Sequence, residues 1–131
     1  MDFTIKPQSN AETSELVTEN NTALKFGSGT AKVYATPAMV GLMEHAAILA
    51  VDSQLPDGYG TVGISMNVKH VSATPIGLTV TAKATLTEQD RKKLTFHVEA
   101  YDDAGLIGDA IHERFIIESE PFLAKAEHKK K

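Results

Sequence analysis

The chain of 131 residues has no cysteine, which excludes disulfides, thiolate metal sites and a thiol nucleophile. It has no excess of positive charge either: the net charge is −4, so nothing points to a general affinity for nucleic acid. The one basic run, Lys129-Lys130-Lys131, reads as a solvated tail. Long apolar runs are also missing. The longest, Ala46 to Val51, is far too short to span a bilayer. The start, MDFTIKPQSN, lacks the basic residues and apolar stretch of a signal peptide, so the expected location is cytoplasmic, with no membrane partner. No HxxxH or HExxH spacing occurs among the histidines, and the Gly27-Ser28-Gly29 segment lacks the lysine of a phosphate loop, so neither a metal nor a separate cofactor is expected. There are no repeats, low-complexity segments or linkers. The whole chain, 1–131, reads as one domain, with a polar leader over about 1–13 and a tail over about 123–131.

What is present begins with Val33 to Ala50, VYATPAMVGLMEHAAILA. It reads as a helix from about Pro37 to Ser53, opened by Thr36 as a capping hydroxyl and Pro37 in the first turn. Val40, Leu42, Met43, Ala46, Ala47, Leu49 and Ala50 surround it on all sides, which places it in a core. Glu44 lies in its middle, and a carboxylate there must be paired, protonated or in use.

Before the helix, Glu15 to Glu19 alternates as a first strand, and Asn21 to Phe26 suits one helical turn. After it, Thr61–Val71, Leu78–Thr87, Lys93–Tyr101 and Leu106–Glu118 read as strands. Turn residues separate them: Thr74-Pro75-Ile76-Gly77, Asp90-Arg91-Lys92 and Asp102-Asp103-Ala104-Gly105. Pro121 to Ala126 suits a closing helical turn. The order predicts an α+β fold in which a curved antiparallel sheet wraps one long helix. A helix apolar on every side then needs the sheet on one face and a partner subunit on the other. That is the hotdog architecture.

The segments ATPAMVGLMEHA (Ala35–Ala46), TVGISMNVKHVSATPIG (Thr61–Gly77) and GLIGDAIHERF (Gly105–Phe115) resemble hotdog thioesterases of the fluoroacetyl-CoA thioesterase type. The resemblance implies hydrolysis of a small acyl-CoA, with coenzyme A entering only as part of the substrate. It implies a catalytic threonine, glutamate and histidine at Thr36, Glu44 and His70. It also implies that the backbone near Gly63 and the Arg114 side chain shape the acyl site. Tyr34 is the only aromatic residue in the segment Gly27–Tyr34, where the family carries aromatics over the acyl pocket; it is the candidate acyl contact. This poverty in aromatics implies a more open pocket, suited to a general short-chain or branched acyl group rather than to fluoroacetyl alone.

The residue types fit that chemistry on their own terms. Thioester hydrolysis needs an activated nucleophile, a proton-transfer group and oxyanion stabilisation. Glu44 suits either a base or a direct nucleophile, and His70 suits activation of water or orientation of Glu44 or Thr36. Thr36 and Glu44 stand eight residues apart, about 12 Å along the helix axis. A compact site therefore draws on two chains, and a homodimer with interfacial sites is expected, with higher oligomers open. Two rivals keep the scaffold and change the role: a non-catalytic acyl-CoA sensor, and an acyl-thioester dehydratase or hydratase. His45 points elsewhere on the helix and suits an interface. His97 is expected to face solvent, while His112 and Arg114 share a strand face and suit either substrate or acid partners.

Overall fold

The computed structural model describes residues 3–130. Five strands, β1 (Asn10–Leu16), β2 (Tyr59–His70), β3 (Thr79–Asp90), β4 (Lys93–Asp102) and β5 (Gly105–Glu118), form one sheet. Their order is β1-β3-β4-β5-β2, and every pairing is antiparallel. Three α-helices accompany them: a single turn α1 (Ala23–Phe26), the long α2 (Thr36–Val51) and the terminal α3 (Ser119–Glu127). This is the expected α+β hotdog arrangement, with α2 laid across the sheet.

Period-two alternation decides which face of the sheet meets the helix. Val80, Ala82, Ala84 and Leu86 on β3, and Leu94, Phe96, Val98 and Ala100 on β4, are all buried. Opposite them α2 buries Met39, Leu42, Met43, Ala46, Ala47, Ala50 and Val51. Close approach is possible because β5 offers Gly108, where a Cβ would meet Met39 Sδ at 2.5 Å and Met43 Cε at 3.2 Å. On β5 the same alternation carries two polar side chains, His112 and Arg114, into this otherwise apolar layer.

The expected helix is corrected in two respects. Within one chain α2 is not surrounded: Pro37, Gly41, His45 and Leu49 form an exposed stripe, flanked by half-buried Val40, Glu44 and Ile48. Nor does Thr36 cap it. Ala35 holds the cap position, with no side-chain hydrogen bond to the first turn, and Thr36 is already helical.

The expected polar leader is likewise part of the fold. Phe3 and Ile5 enter the core, Phe3 packs on Tyr59 with ring centroids 5.0 Å apart, and β1 begins at Asn10 rather than Glu15. An edge strand with only a half-buried face needs no apolar alternation, which is why its composition hid it. The C-terminal segment forms the exposed helix α3, which contains the helical turn expected over Pro121–Ala126. Residues 1, 2 and 131 of the expected leader and tail lie outside the described residues. Among the described residues no helix is long and apolar enough to cross a membrane.

Candidate active site

Two backbone bridges set the first half of the site. Thr22 pairs with Tyr34 and Val33 with Pro75, and Tyr34 N–H donates to the Thr74 carbonyl at 2.8 Å. The segment entering α2 is thereby tied to the segment leaving β2. Thr36, at the start of the helix, then meets His70, at the end of the strand: Thr36 Oγ1 lies 2.7 Å from His70 Nδ1. The hydroxyl expected to cap the helix is committed to an imidazole instead. His70 Nε2 is buried and has no hydrogen-bond partner. Burial pushes the His70 pKa below the ordinary imidazole value, with the Ser72 backbone offsetting part of the shift. The ring is therefore neutral at pH 7.

Thr36 and His70 open on a cavity of about 290 Å³ whose other walls include Ser28, Val33, Tyr34 and Ser72. Tyr34 is almost fully buried, and its hydroxyl donates to Glu15 Oε2 at 2.5 Å. Burial first, and Glu15 second, hold its phenol far above the usual range. It borders the cavity, while its hydroxyl is committed to Glu15.

The second half lies two turns further along α2. Glu44 Oε2 stands 3.6 Å from Arg114 Nη1; the Arg114 side chain is 4% exposed and that of Glu44 41%. Glu44 is thus paired rather than isolated, and it faces partly outward. Gly63 closes the group from β2, where a Cβ would sit 2.6 Å from Glu44 Oε2 and 3.4 Å from Arg114 Nη1. The ladder shifts register between Gly63 and Ser65, a bulge that leaves Ile64 exposed. His112 Nδ1 lies 2.8 Å from the Ser65 carbonyl and can only donate to it, so neutral His112 accepts at Nε2 from Arg114 Nη1, 3.3 Å away.

The six sequence-predicted residues therefore form two groups in one chain, Tyr34–Thr36–His70 and Glu44–Gly63–Arg114. Among the described residues no hydrogen bond joins Glu44 to Thr36 or His70. Sequence reasoning paired His112 with Arg114 but missed Thr61 and Asp52, which hold Arg114 from β2 and the end of α2. Their only signal was two polar residues on a buried strand face, which demands polar neighbours. His97, expected to face solvent, is half-exposed on the outer face of the sheet. There His97, Glu99 and Asp109 bring ligand-type atoms within 4.8 Å of one another, with His97 Nε2 2.6 Å from Asp109 Oδ1. Spacing along the chain does not show this cluster, because its members come from two strands.

One helix laid on an antiparallel sheet thus carries a hydroxyl–imidazole pair at its start and a carboxylate–guanidinium pair two turns on. A family model described as fluoroacetyl-CoA-specific thioesterase matches residues 17–120. The fluoroacetyl-CoA thioesterase of Streptantibioticus cattleyicolor is 43% identical over 98 residues, which cover 75% of this chain and 70% of that one. The solved structure of the fluoroacetyl-CoA thioesterase FlK superposes with a TM-score of 0.90 at 33% identity, covering 96% of this chain and 98% of that one. A Thermus thermophilus protein described as a thioesterase superfamily member gives 0.89 at 26% identity, over 97% and 94%. The chain belongs to the fluoroacetyl-CoA-specific thioesterase family, and its activity is acyl-CoA thioester hydrolysis.

Proposed function

We propose that the chain hydrolyses small acyl-CoA thioesters to free acid and coenzyme A at composite sites of a homodimer. Each site combines Thr36 and His70 of one protomer with Glu44 of the partner subunit. The observation that carries this reading is the His70 ring: one nitrogen engages Thr36 at 2.7 Å, while the other is buried without a partner. A buried imidazole nitrogen left unpaired costs about 1–3 kcal/mol, so an acceptor from outside the chain accounts for it. With the proton on Nε2, Nδ1 takes the Thr36 hydroxyl proton as Oγ1 attacks the acyl carbon and gives it to coenzyme A as the carbon–sulfur bond breaks; water then hydrolyses the acyl ester and restores Thr36. A carboxylate at Nε2 then holds that tautomer and stabilises the imidazolium that forms.

The dimer supplies such a carboxylate. Glu44 flanks the exposed stripe of α2, beside Gly41, where the lack of a side chain lets a second helix approach closely. The edge of β2 away from β5 is open to a second copy. Gly63 and Arg114 border the Glu44 carboxylate, and Tyr34 walls the cavity beside Thr36. These three are the acyl-site residues of the reading. The relatives are named for fluoroacetyl-CoA. Here the segment before Tyr34 is exposed and built of small residues over 27–31, which favours a general short acyl group.

Mixed dimers test the composite site. Coexpressed His70→Ala and Glu44→Gln protomers rebuild one intact site per heterodimer if the two residues come from different chains. About half of wild-type thiol release is expected of the isolated heterodimer, whereas each homodimer is nearly inactive. An inactive heterodimer would place the whole set in one chain. Tight acyl-CoA binding by the wild type without thiol release would mark a sensor instead.

A further inference from the structure

Arg114 is nearly fully buried, yet its tightest bonds are not to the carboxylate beside it. Nε donates to Thr61 Oγ1 at 2.8 Å, and Nη2 to the Thr61 carbonyl at 2.8 Å. A guanidinium has no acceptor, so the Thr61 hydroxyl must turn its own proton elsewhere; it donates to Asp52 Oδ1 at 2.7 Å. Asp52 also accepts from Thr61 N–H at 3.3 Å. The proton order is fixed throughout: Arg114 to Thr61 to Asp52, with neutral His112 accepting at Nε2 from Arg114 Nη1.

The position of Asp52 is unusual in its own right. A carboxylate at the C-terminal end of α2 opposes the helix dipole, a cost that a nearby positive charge offsets. That charge is Arg114, shared with Glu44 one carboxylate further up the helix. An arginine and a carboxylate left to themselves close into a two-pronged pair with bonds of about 2.7–2.9 Å. Here Thr61 takes two prongs, and Glu44 keeps a single contact at 3.6 Å.

Resting on the reading of Glu44 as the working carboxylate, we infer that Asp52 and Thr61 are positioning residues that keep Arg114 from locking Glu44 into a tight ion pair. Glu44 faces the charge of Arg114 and the imidazole of His112 from β5, and the Gly63 backbone from β2. Turning the guanidinium away leaves this carboxylate oriented and still available to the reaction.

Thr61→Val removes the hydroxyl at constant shape and is the test; Thr61→Ser restores the hydroxyl and is its control. The Thr61→Val enzyme should show a kcat lowered about tenfold or more at nearly constant KM. The acid limb of its pH–rate profile should move to lower pH, and Thr61→Ser should recover both. A crystal structure of Thr61→Val, which needs no activity, should show Arg114 closed on Glu44 with two short bonds in place of one contact at 3.6 Å. A lower melting temperature with the pH profile and the Arg114–Glu44 geometry unchanged would make Thr61 merely structural and overturn the inference. Closure of the pair in an enzyme whose turnover does not depend on Glu44 would uphold the geometry and reject the catalytic reading instead.

Discussion

The two ends of α2 treat their polar neighbours in opposite ways. At the N-terminal end, Thr36 and His70 make one short bond and leave an imidazole nitrogen buried and unused. Toward the C-terminal end, Asp52, Thr61, Arg114 and His112 satisfy one another in a closed series. A satisfied network stabilises and orients, whereas an unsatisfied atom in a cavity is where another group has to bind. Damage at the first end should therefore show in turnover alone, and damage at the second in stability as well.

The largest effect is expected at the unsatisfied end. His70→Ala should lower kcat/KM by about 10²–10⁴-fold, the usual contribution of a proton-transfer group, with the melting temperature close to wild type. An equally large loss of melting temperature would erase the contrast. Next comes Arg114→Met, which strands Asp52 and Glu44 without their shared cation. The variant also loses the two buried bonds to Thr61, at about 1.5–3 kcal/mol for each bond to a charged group, read as a fall in the denaturant midpoint. Gly63→Ala is smaller: a Cβ 2.6 Å from Glu44 Oε2 forces the carboxylate or the strand aside, at about 1–3 kcal/mol and with reduced turnover.

The smallest effect lies in the pH dependence of stability. His70 and His112 both titrate below the ordinary value of 6.5 in the folded chain, chiefly through burial. The unfolded chain thus binds protons first. The contribution of the neutral rings is complete above pH 6.5 and is lost as the pH falls through the depressed folded values. Melting temperatures from pH 7.5 down to 5 should decline, and His112→Gln should flatten the slope. A slope indifferent to both histidines would show that burial exerts no such control.

Much of this was legible in the sequence. Alternation through Val80–Leu86 and Leu94–Ala100 marked two central strands, and serial turn residues marked the antiparallel order. Thr36, Glu44 and His70 stood out through motif likeness, and the roles given them remain proposals. Asp52 and Thr61 were invisible because their importance comes from a buried guanidinium 53 residues from Thr61. The capping role of Thr36 was misread for a similar reason. A hydroxyl beside Pro37 satisfies the local rule, and only tertiary contact shows that it belongs to His70. β1 escaped because an edge strand needs little greasy sequence.

Ala35 opens α2 with no side-chain acceptor over the first turn, while the adjacent threonine has a suitable oxygen engaged elsewhere. Ala35 is fully buried, so a serine or aspartate there would gain about 1 kcal/mol as a cap but would have to bury a polar group in the core. Extra heat tolerance has to come from elsewhere in the chain.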